Sequence, residues 1–370
     1  MTRYTSSLPF SHRSAPTTAI LLVQLGTPDR ADAPAIRRYL REFLADPRVV
    51  EIPRLAWWPI LHGLILPTRP RKTARKYETI WTPDGSPLAI HTRRQASMLR
   101  GALGDLGLDV EVVHAMRYGR PALAQTLQAL RQNNLARLLV LPLYPQYSGS
   151  TTGSVFDAVT RELGRWRNLP ELRLARGFHR DPGYIGALVG SIRGLWQASG
   201  RSDKLVLSFH GLPRRNLDLG DPYHCECLAT ARLVADGLKV PADDVVVTFQ
   251  SRFGKARWLE PYTEPTLVAL AKKGVRSVDV ACPGFVADCL ETLEEIDQEA
   301  RKAFMKAGGR NFRYIPCLNT SADWIRALAD LARRQLEGWP VKRLPPEMLA
   351  RREALLVERE TMAKARGAQA

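Results

Sequence analysis

Three strand-end signatures recur in the same order in the two halves of this 370-residue chain, and that repetition constrains the fold more than any other feature. Ile20-Leu-Leu-Val-Gln-Leu-Gly-Thr-Pro28 is matched by Leu205-Val-Leu-Ser-Phe-His-Gly-Leu-Pro213. Val112-Val-His-Ala-Met-Arg-Tyr-Gly-Arg120 is matched by Val247-Thr-Phe-Gln-Ser-Arg-Phe-Gly-Lys255, and Leu138-Leu-Val-Leu-Pro142 by Val278-Asp-Val-Ala-Cys-Pro283. Short β-branched or Leu-rich runs at 20–25, 110–114, 138–141, 205–209, 245–249 and 278–281 alternate with helical patterns such as 121–131, 228–237 and 266–273. That rhythm predicts an α/β fold with parallel strands buried on both faces. The repeat predicts two similar Rossmann-like lobes, 15–175 and 180–318, with a capped amphipathic helix at 319–340 packing back and a charged tail at 341–370. Ligands of such sheets sit outside the carboxyl ends of the strands, where all six signatures lie, so one cleft between the lobes is expected.

The lobes differ where function can enter. Gly26 and Gly119 stand 93 residues apart, Gly211 and Gly254 only 43, so the first lobe carries an insert, at about 45–95. Where the first lobe has Leu25, the second has His210. An imidazole at a strand's carboxyl end points into the ligand crevice, although a histidine bonded to a backbone carbonyl is the plain alternative. The remaining histidines lie in a polar tail, in the apolar insert or in isolation.

Asp288, Glu291, Glu295 and Glu299 fall at i, i+3, i+7 and i+11, one face of a regular helix that starts at a strand end. Its first carboxylates should reach the cleft. A histidine and a carboxylate from neighbouring strand ends can shuttle protons or hold a divalent ion transiently, but two ligands are too few for tight zinc. His224-Cys-Glu-Cys227 lacks a second matching pair and reads as a helix start. Ser148-Gly-Ser-Thr-Thr-Gly-Ser154 lacks the spacing of a phosphate loop.

A net charge of +17 favours acidic ligands or anionic surfaces. No basic run interleaved with aromatics supports a nucleic-acid partner. Five cysteines, an odd number, argue against a disulfide framework. Met1–Pro16 is polar, so no signal peptide is expected, and no apolar run is long enough to span a bilayer. In the insert, Trp57, Trp58, Ile60, Leu61, Leu64, Ile65 and Leu66 offer an apolar edge beside the basic stretch 69–76. This suits peripheral contact with an anionic membrane, or the apolar lip of a cleft. A buried core helix is the alternative.

Together these blocks resemble the ferrochelatase family over roughly residues 20–325. The resemblance rests on Leu21-Leu-Val-Gln-Leu-Gly-Thr-Pro28, Gly85-Ser-Pro-Leu88, Tyr144-Pro-Gln-Tyr-Ser-Gly-Ser-Thr-Thr-Gly153, Leu207-Ser-Phe-His-Gly-Leu-Pro213, Gln250-Ser-Arg-Phe-Gly254 with Trp258-Leu259, and Asp288-Cys-Leu-Glu-Thr-Leu293. It implies two Rossmann-like lobes around a porphyrin cleft, and a lyase that inserts Fe2+ into protoporphyrin IX to give protohaem and two protons. His210 and Glu291 are then the catalytic pair that meets the metal, and Asp288 and Glu295 an acidic path behind them. Leu25, Ser86, Arg117, Tyr118 and Trp258 contact the porphyrin, with Arg117 and Tyr118 on the side opposite the histidine. Two departures stand out. Some relatives have histidine where this chain has Cys289, and animal relatives hold a [2Fe–2S] cluster on C-terminal cysteines, whereas none follows Cys317 here. No cluster or tightly bound cofactor is therefore expected, with Fe2+ as substrate. The resemblance, of bacterial type, further implies a cytoplasmic monomer, peripheral at most to the membrane. A chelatase for cobalt or coproporphyrin, and a non-catalytic tetrapyrrole carrier, remain as alternatives.

Overall fold

The computed structural model describes residues 4, 11–254 and 256–368; Lys255 of the second signature and most of Met1–Pro16 lie outside the described residues. Eight strands form two parallel four-stranded sheets. The first contains β1 (Thr17–Thr27), β2 (Glu111–Gly119), β3 (Leu135–Pro142) and β4 (Glu171–Leu174), in the order β2-β1-β3-β4. The second contains β5 (Lys204–His210), β6 (Val245–Gln250), β7 (Ser277–Ala281) and β8 (Asn311–Ile315), in the order β6-β5-β7-β8. The two orders correspond strand for strand, so the sequence repeat is a structural repeat, and the fold is the two-lobed α/β architecture expected.

The helices of the first half are α1 (Ala33–Leu44), α2 (Arg54–Ile60), α3 (Leu66–Glu78), α4 (Pro87–Asp105), α5 (Leu123–Gln132), α6 (Ser154–Leu163) and α7 (Pro182–Ser199). Those of the second half are α8 (Arg214–Asp218), α9 (Tyr223–Leu238), α10 (Thr263–Lys272), α11 (Leu290–Leu293), α12 (Arg301–Lys306), α13 (Ala322–Gln335) and α14 (Pro346–Ala365). Two π-helical stretches matter below: Leu61–Ile65 joins α2 to α3, and Glu295–Ala300 precedes α12.

Because strand side chains alternate, each central strand feeds two cores. Ile20 and Leu22 of β1 join Leu139 and Leu141 of β3 in a cluster that also holds Leu205, Leu207 and Phe209 of the second sheet, together with residues of α4, α7, α9 and α13. Ala19, Leu21 and Val23 face the other way, onto α5 and α6. The second sheet repeats the scheme, with Val206, Val278 and Val280 packed against Leu267, Ile296 and Phe304. The lobes therefore share one continuous apolar core. Helix α13 buries Trp324, Ile325, Leu328, Leu331 and Ala332 in it, although Ser321 at its start makes no side-chain cap. Helix α14 buries none of its residues.

The Gly-x-Pro ending shared by the lobes has a steric cause. A Cβ on Gly26 would lie 1.7 Å from the Tyr118 carbonyl oxygen, and its φ of +117° suits glycine. Gly211 occupies the matching place: a Cβ there would come within 2.7 Å of the Gln250 carbonyl, to which the Gly211 N–H already donates. Gly26→Ala should therefore prevent β1 from closing on β2. The expected cost is about 3 kcal/mol or more, beyond the usual range for point changes, read as a fall in urea midpoint at constant slope.

Candidate active site

His210 ends β5 in register with Gln250 at the end of β6. Its Nδ1 lies 2.7 Å from the Gly211 carbonyl. A carbonyl can only accept, so Nδ1 carries the hydrogen and Nε2 keeps its lone pair in the neutral ring. The plain alternative of a carbonyl-bonded histidine is thus realised, and the same bond fixes the orientation of the ring.

Gln250, buried, is a site residue to which sequence reasoning assigned no role. Its Nε2 donates to the Glu291 carbonyl at 2.6 Å, and its Oε1 accepts from Ser208 Oγ at 2.7 Å. One side chain thus ties β5, β6 and the turn carrying Glu291. Glu291 sits in the first turn of α11, whose Leu290 and Leu293 pack on Ile36, Tyr77 and Ile80 of the first lobe. Burial pushes the Tyr39 and Tyr77 hydroxyls up, and the Glu291 charge adds to this in both. Two protonated phenols therefore lie within electrostatic reach of the carboxylate.

Glu295 accepts hydrogen bonds from the Ser251 N–H, at 2.6 Å, and from its hydroxyl. Burial raises its carboxyl above the ordinary glutamate range, against the lowering effect of Ser251 and His210, and Glu291 raises it further. Asp288 is saturated: Thr292, Tyr314 and the Cys317 N–H donate to Oδ1, and Asn319 donates to Oδ2 at 2.6 Å.

The four-carboxylate stripe needs correction. Asp288 lies in an irregular turn ahead of α11, and the π-helix moves Glu299 off the face of Glu295. Glu299 donates its N–H to the Glu294 carbonyl, five residues back. Glu294 and Glu299 thereby meet, and both bind Lys76 of the insert at 2.9 Å. Among the described residues no group of three or more His, Cys, Asp or Glu could hold a metal ion.

The matched second signature diverges between the lobes. In the first, β2 runs through Arg117, Tyr118 and Gly119. Arg117 donates to Ser154 Oγ at 2.7 Å and pairs with Asp46; Tyr118 donates to Asp46 Oδ2 at 2.8 Å, and Ser154 at 2.6 Å. Burial would raise the Asp46 carboxyl, but Ser154, the Arg48 N–H, Tyr118 and Arg117 hold it below the ordinary range. Tyr118 has no exposed surface; it is enclosed behind Phe43, rings 5.1 Å apart. In the second lobe the strand stops at Gln250. Ser251 adopts a left-handed φ of +67° and turns the chain out of the sheet. Phe253 then reaches the insert, where the Arg69 guanidinium lies 4.0 Å from its ring centroid.

The remaining expected contacts surround the same region. Leu25 is half-buried at the end of β1, and Ser86 Oγ accepts from Thr27 Oγ1 at 2.8 Å. Trp258 pairs with Pro213, and its buried Nε1 has no hydrogen-bond partner among the described residues. Leu88 beside Ser86 packs on Ala287 and Cys289 across the lobes. Glu226 of the His-Cys-Glu-Cys run, at the start of α9, binds Tyr147 N–H, Arg176 and His179. Asp221 occupies the Ser148 hydroxyl and the Gly149 N–H. All five cysteines are free.

The apolar edge of the insert is also half what was expected. Trp57, Leu61, Ile65 and Leu66 turn inward onto Leu44, and the Trp57 indole donates to the Leu44 carbonyl at 2.7 Å. Arg69 is taken by Phe253. Leu55, 93% exposed, Leu64, 61%, and Trp58, Ile60 and Ile52 form the outer face, beside exposed Arg54, Arg71, Lys72 and Arg75. Helical periodicity split the run: Trp57, Leu61 and Ile65, four residues apart, line the side against α1, and the residues between them face solvent.

The two-lobed fold is that of the chelatases: a structure of the sirohydrochlorin chelatase SirB from Bacillus subtilis subspecies spizizenii, in complex with cobalt, superposes with a TM-score of 0.50. It is 11% identical and covers 87% of this chain and 97% of its own. A family profile described as Ferrochelatase matches residues 17–336. The ferrochelatase of Methylibium petroleiphilum is 59% identical over 344 residues, 93% of this chain and 95% of its own. That of Polaromonas sp. is 60% identical over 337 residues, 90% and 92%. The chain belongs to the ferrochelatase family. Its activity is that of a porphyrin metal chelatase, a lyase of haem biosynthesis acting on ferrous iron.

Proposed function

We propose that this chain inserts Fe2+ into protoporphyrin IX between its lobes, with His210 Nε2 accepting the pyrrole protons and Glu291 meeting the metal. The observation that carries this reading is the His210 Nδ1–H bond to Gly211, which leaves the Nε2 lone pair free within electrostatic reach of Glu295. Metallation must remove two N–H protons and expose nitrogen lone pairs that a planar macrocycle shields. Binding energy from the rest of the ring bends it. As protons arrive, the imidazolium is stabilised by negative charge at Glu291. Glu295, with its raised affinity for protons, passes them on. Trp258, Ser86 and Leu25 hold the macrocycle. Arg117 fixes the wall behind it, through Asp46. Asp288 positions the turn that carries Glu291 rather than carrying protons, since its oxygens already accept four donors.

Fe2+ is a substrate in this reading, with no resident cluster or cofactor, and the chain works as a monomer in the cytoplasm with its insert against an anionic membrane surface. Anaerobic Fe2+ insertion into protoporphyrin IX tests the reaction, and parallel runs with Co2+ and with coproporphyrin test the metal and the tetrapyrrole. In that assay Glu291→Gln should lower turnover at least 100-fold. Glu294→Gln should lower it less than threefold, because Glu294 binds Lys76 rather than facing His210. Equal losses would overturn the assignment of Glu291.

The insert yields a separate expectation. Trp57→Ser should cost about 3 kcal/mol or more of stability, as burial of a large aromatic is lost. Trp58→Ser should leave the melting temperature within about 2 °C and weaken sedimentation with anionic vesicles at low salt. Vesicle binding unchanged by Trp58→Ser would remove the membrane role from this face.

A further inference from the structure

A cavity of about 650 Å³ lies in the first lobe, and neither His210 nor Glu291 lines it. Its walls are α1, the ends of β1 and β2, and the turn into α5, with the insert closing one side. It opens on the face of α1 opposite to Ile36, Leu40 and Leu44, which pack inward. Such a volume falls in the range of small-molecule sites, and the carboxyl ends of parallel strands are where such sites form.

The charges lining it are unevenly satisfied. Arg38 pairs with Asp29 at 3.3 Å, and Glu42 accepts the Gly119 N–H at 2.9 Å. The guanidiniums of Arg41 on α1 and Arg120 after β2 make no hydrogen bond or ion pair with any described residue, although both residues line the cavity. On the same cavity the insert presents Trp58 and His62, with rings 4.5 Å apart and inclined by 33°. The chemistry is a flat aromatic platform with two free, forked cations. It complements a planar aromatic body with two carboxylates, because a guanidinium binds carboxylate bidentately and an indole face stacks on a ring.

We propose that this cavity is a second tetrapyrrole site, which holds a dicarboxylate macrocycle by Arg41, Arg120 and the Trp58 face, outside the catalytic cleft. The proposal rests on the porphyrin-chelatase reading for the identity of the ring, and on the cavity alone for its place. The test is equilibrium dialysis of the full chain with zinc protoporphyrin IX, which already carries its metal. Wild type should bind two equivalents. Arg41→Glu with Arg120→Glu should bind one, the second weakened at least tenfold, while kcat/KM for iron insertion stays within twofold. Zinc protoporphyrin dimethyl ester, lacking the carboxylates, should bind wild type at one equivalent only. Should the charge reversal unfold the chain by circular dichroism, Arg41→Gln with Arg120→Gln takes its place. A single equivalent on wild type, or two on either double variant, overturns the proposal. Failure of wild type to insert iron would instead overturn the functional reading, and the stoichiometry would still be measurable.

Discussion

His210→Ala is expected to reduce iron insertion at least 1000-fold while porphyrin binding changes less than threefold. A positioned general base contributes about 100- to 10,000-fold. Here the loss should lie toward the upper end, because in the proposed reaction the ring is both the base and the charge that Glu295 senses. His210→Gln makes the sharper comparison: its side chain can refill space and hydrogen-bond Gly211 but cannot accept a proton near neutral pH. Both variants should show unchanged melting and unchanged fluorescence quenching by bound porphyrin. Retention of a tenth of wild-type turnover by either would remove His210 as the proton acceptor.

The second large effect is expected at Asp46. Its carboxylate accepts from Arg117, Tyr118, Ser154 and the Arg48 N–H, and it is almost fully buried. Asp46→Ala leaves the Arg117 guanidinium facing two dipoles in place of a charge, and breaking a buried pair in this way costs about 3–5 kcal/mol. The sign with pH follows from the direction of the shift. The folded-state carboxyl titrates below its unfolded value, so its contribution is fully present above the ordinary aspartate range and disappears as pH falls through the folded-state value. Urea unfolding at pH 7 and in the acid range should therefore show the wild-type advantage over Asp46→Ala narrowing on acidification. An advantage that grows toward low pH would mean that the network does not hold the ionised form.

What was legible in the sequence follows from what is local. The six buried strands could be read because parallel strands covered on both faces leave uninterrupted apolar runs, and the repeat placed them in two lobes. Strands β4 and β8 were missed because both are short edge strands; Glu171, Arg173, Asn311 and Arg313 break their apolar runs. His210 stood out as the one position where the repeat changes leucine to imidazole. Asp46 carried no such mark, since its partners Arg117 and Ser154 lie 71 and 108 residues away and nothing in its neighbourhood encodes them. The π-helix at Glu295–Ala300 was equally hidden. Its residues read as an ordinary helix, and the extra residue per turn appears only where Glu294 and Glu299 converge on Lys76. The tryptophan pair illustrates the same limit: periodicity could say that Trp57 and Trp58 face different ways, but not which one meets Leu44.

The shared core sets how the catalytic cleft can open. Because Ile20 and Leu22 of one sheet pack in the same cluster as Leu207 and Phe209 of the other, parting the lobes would expose the largest apolar cluster in the molecule. The insert is fastened to the second lobe by two smaller apolar contacts, Tyr77 and Ile80 with Leu290 and Leu293 and Leu88 with Ala287 and Cys289, and by Glu51 with Arg215, Arg69 over Phe253, and Lys76 with Glu294 and Glu299. The exposed Glu51–Arg215 pair is a solvated charge contact, worth on the order of 1 kcal/mol or less and weakened by salt, whereas Lys76 meets the buried Glu294. The lobes thus form the frame and the insert its door, hinged on small apolar contacts and latched at the rim by ions. Ionic strength, which leaves the apolar core untouched, should loosen that rim and quicken the passage of a macrocycle in and out.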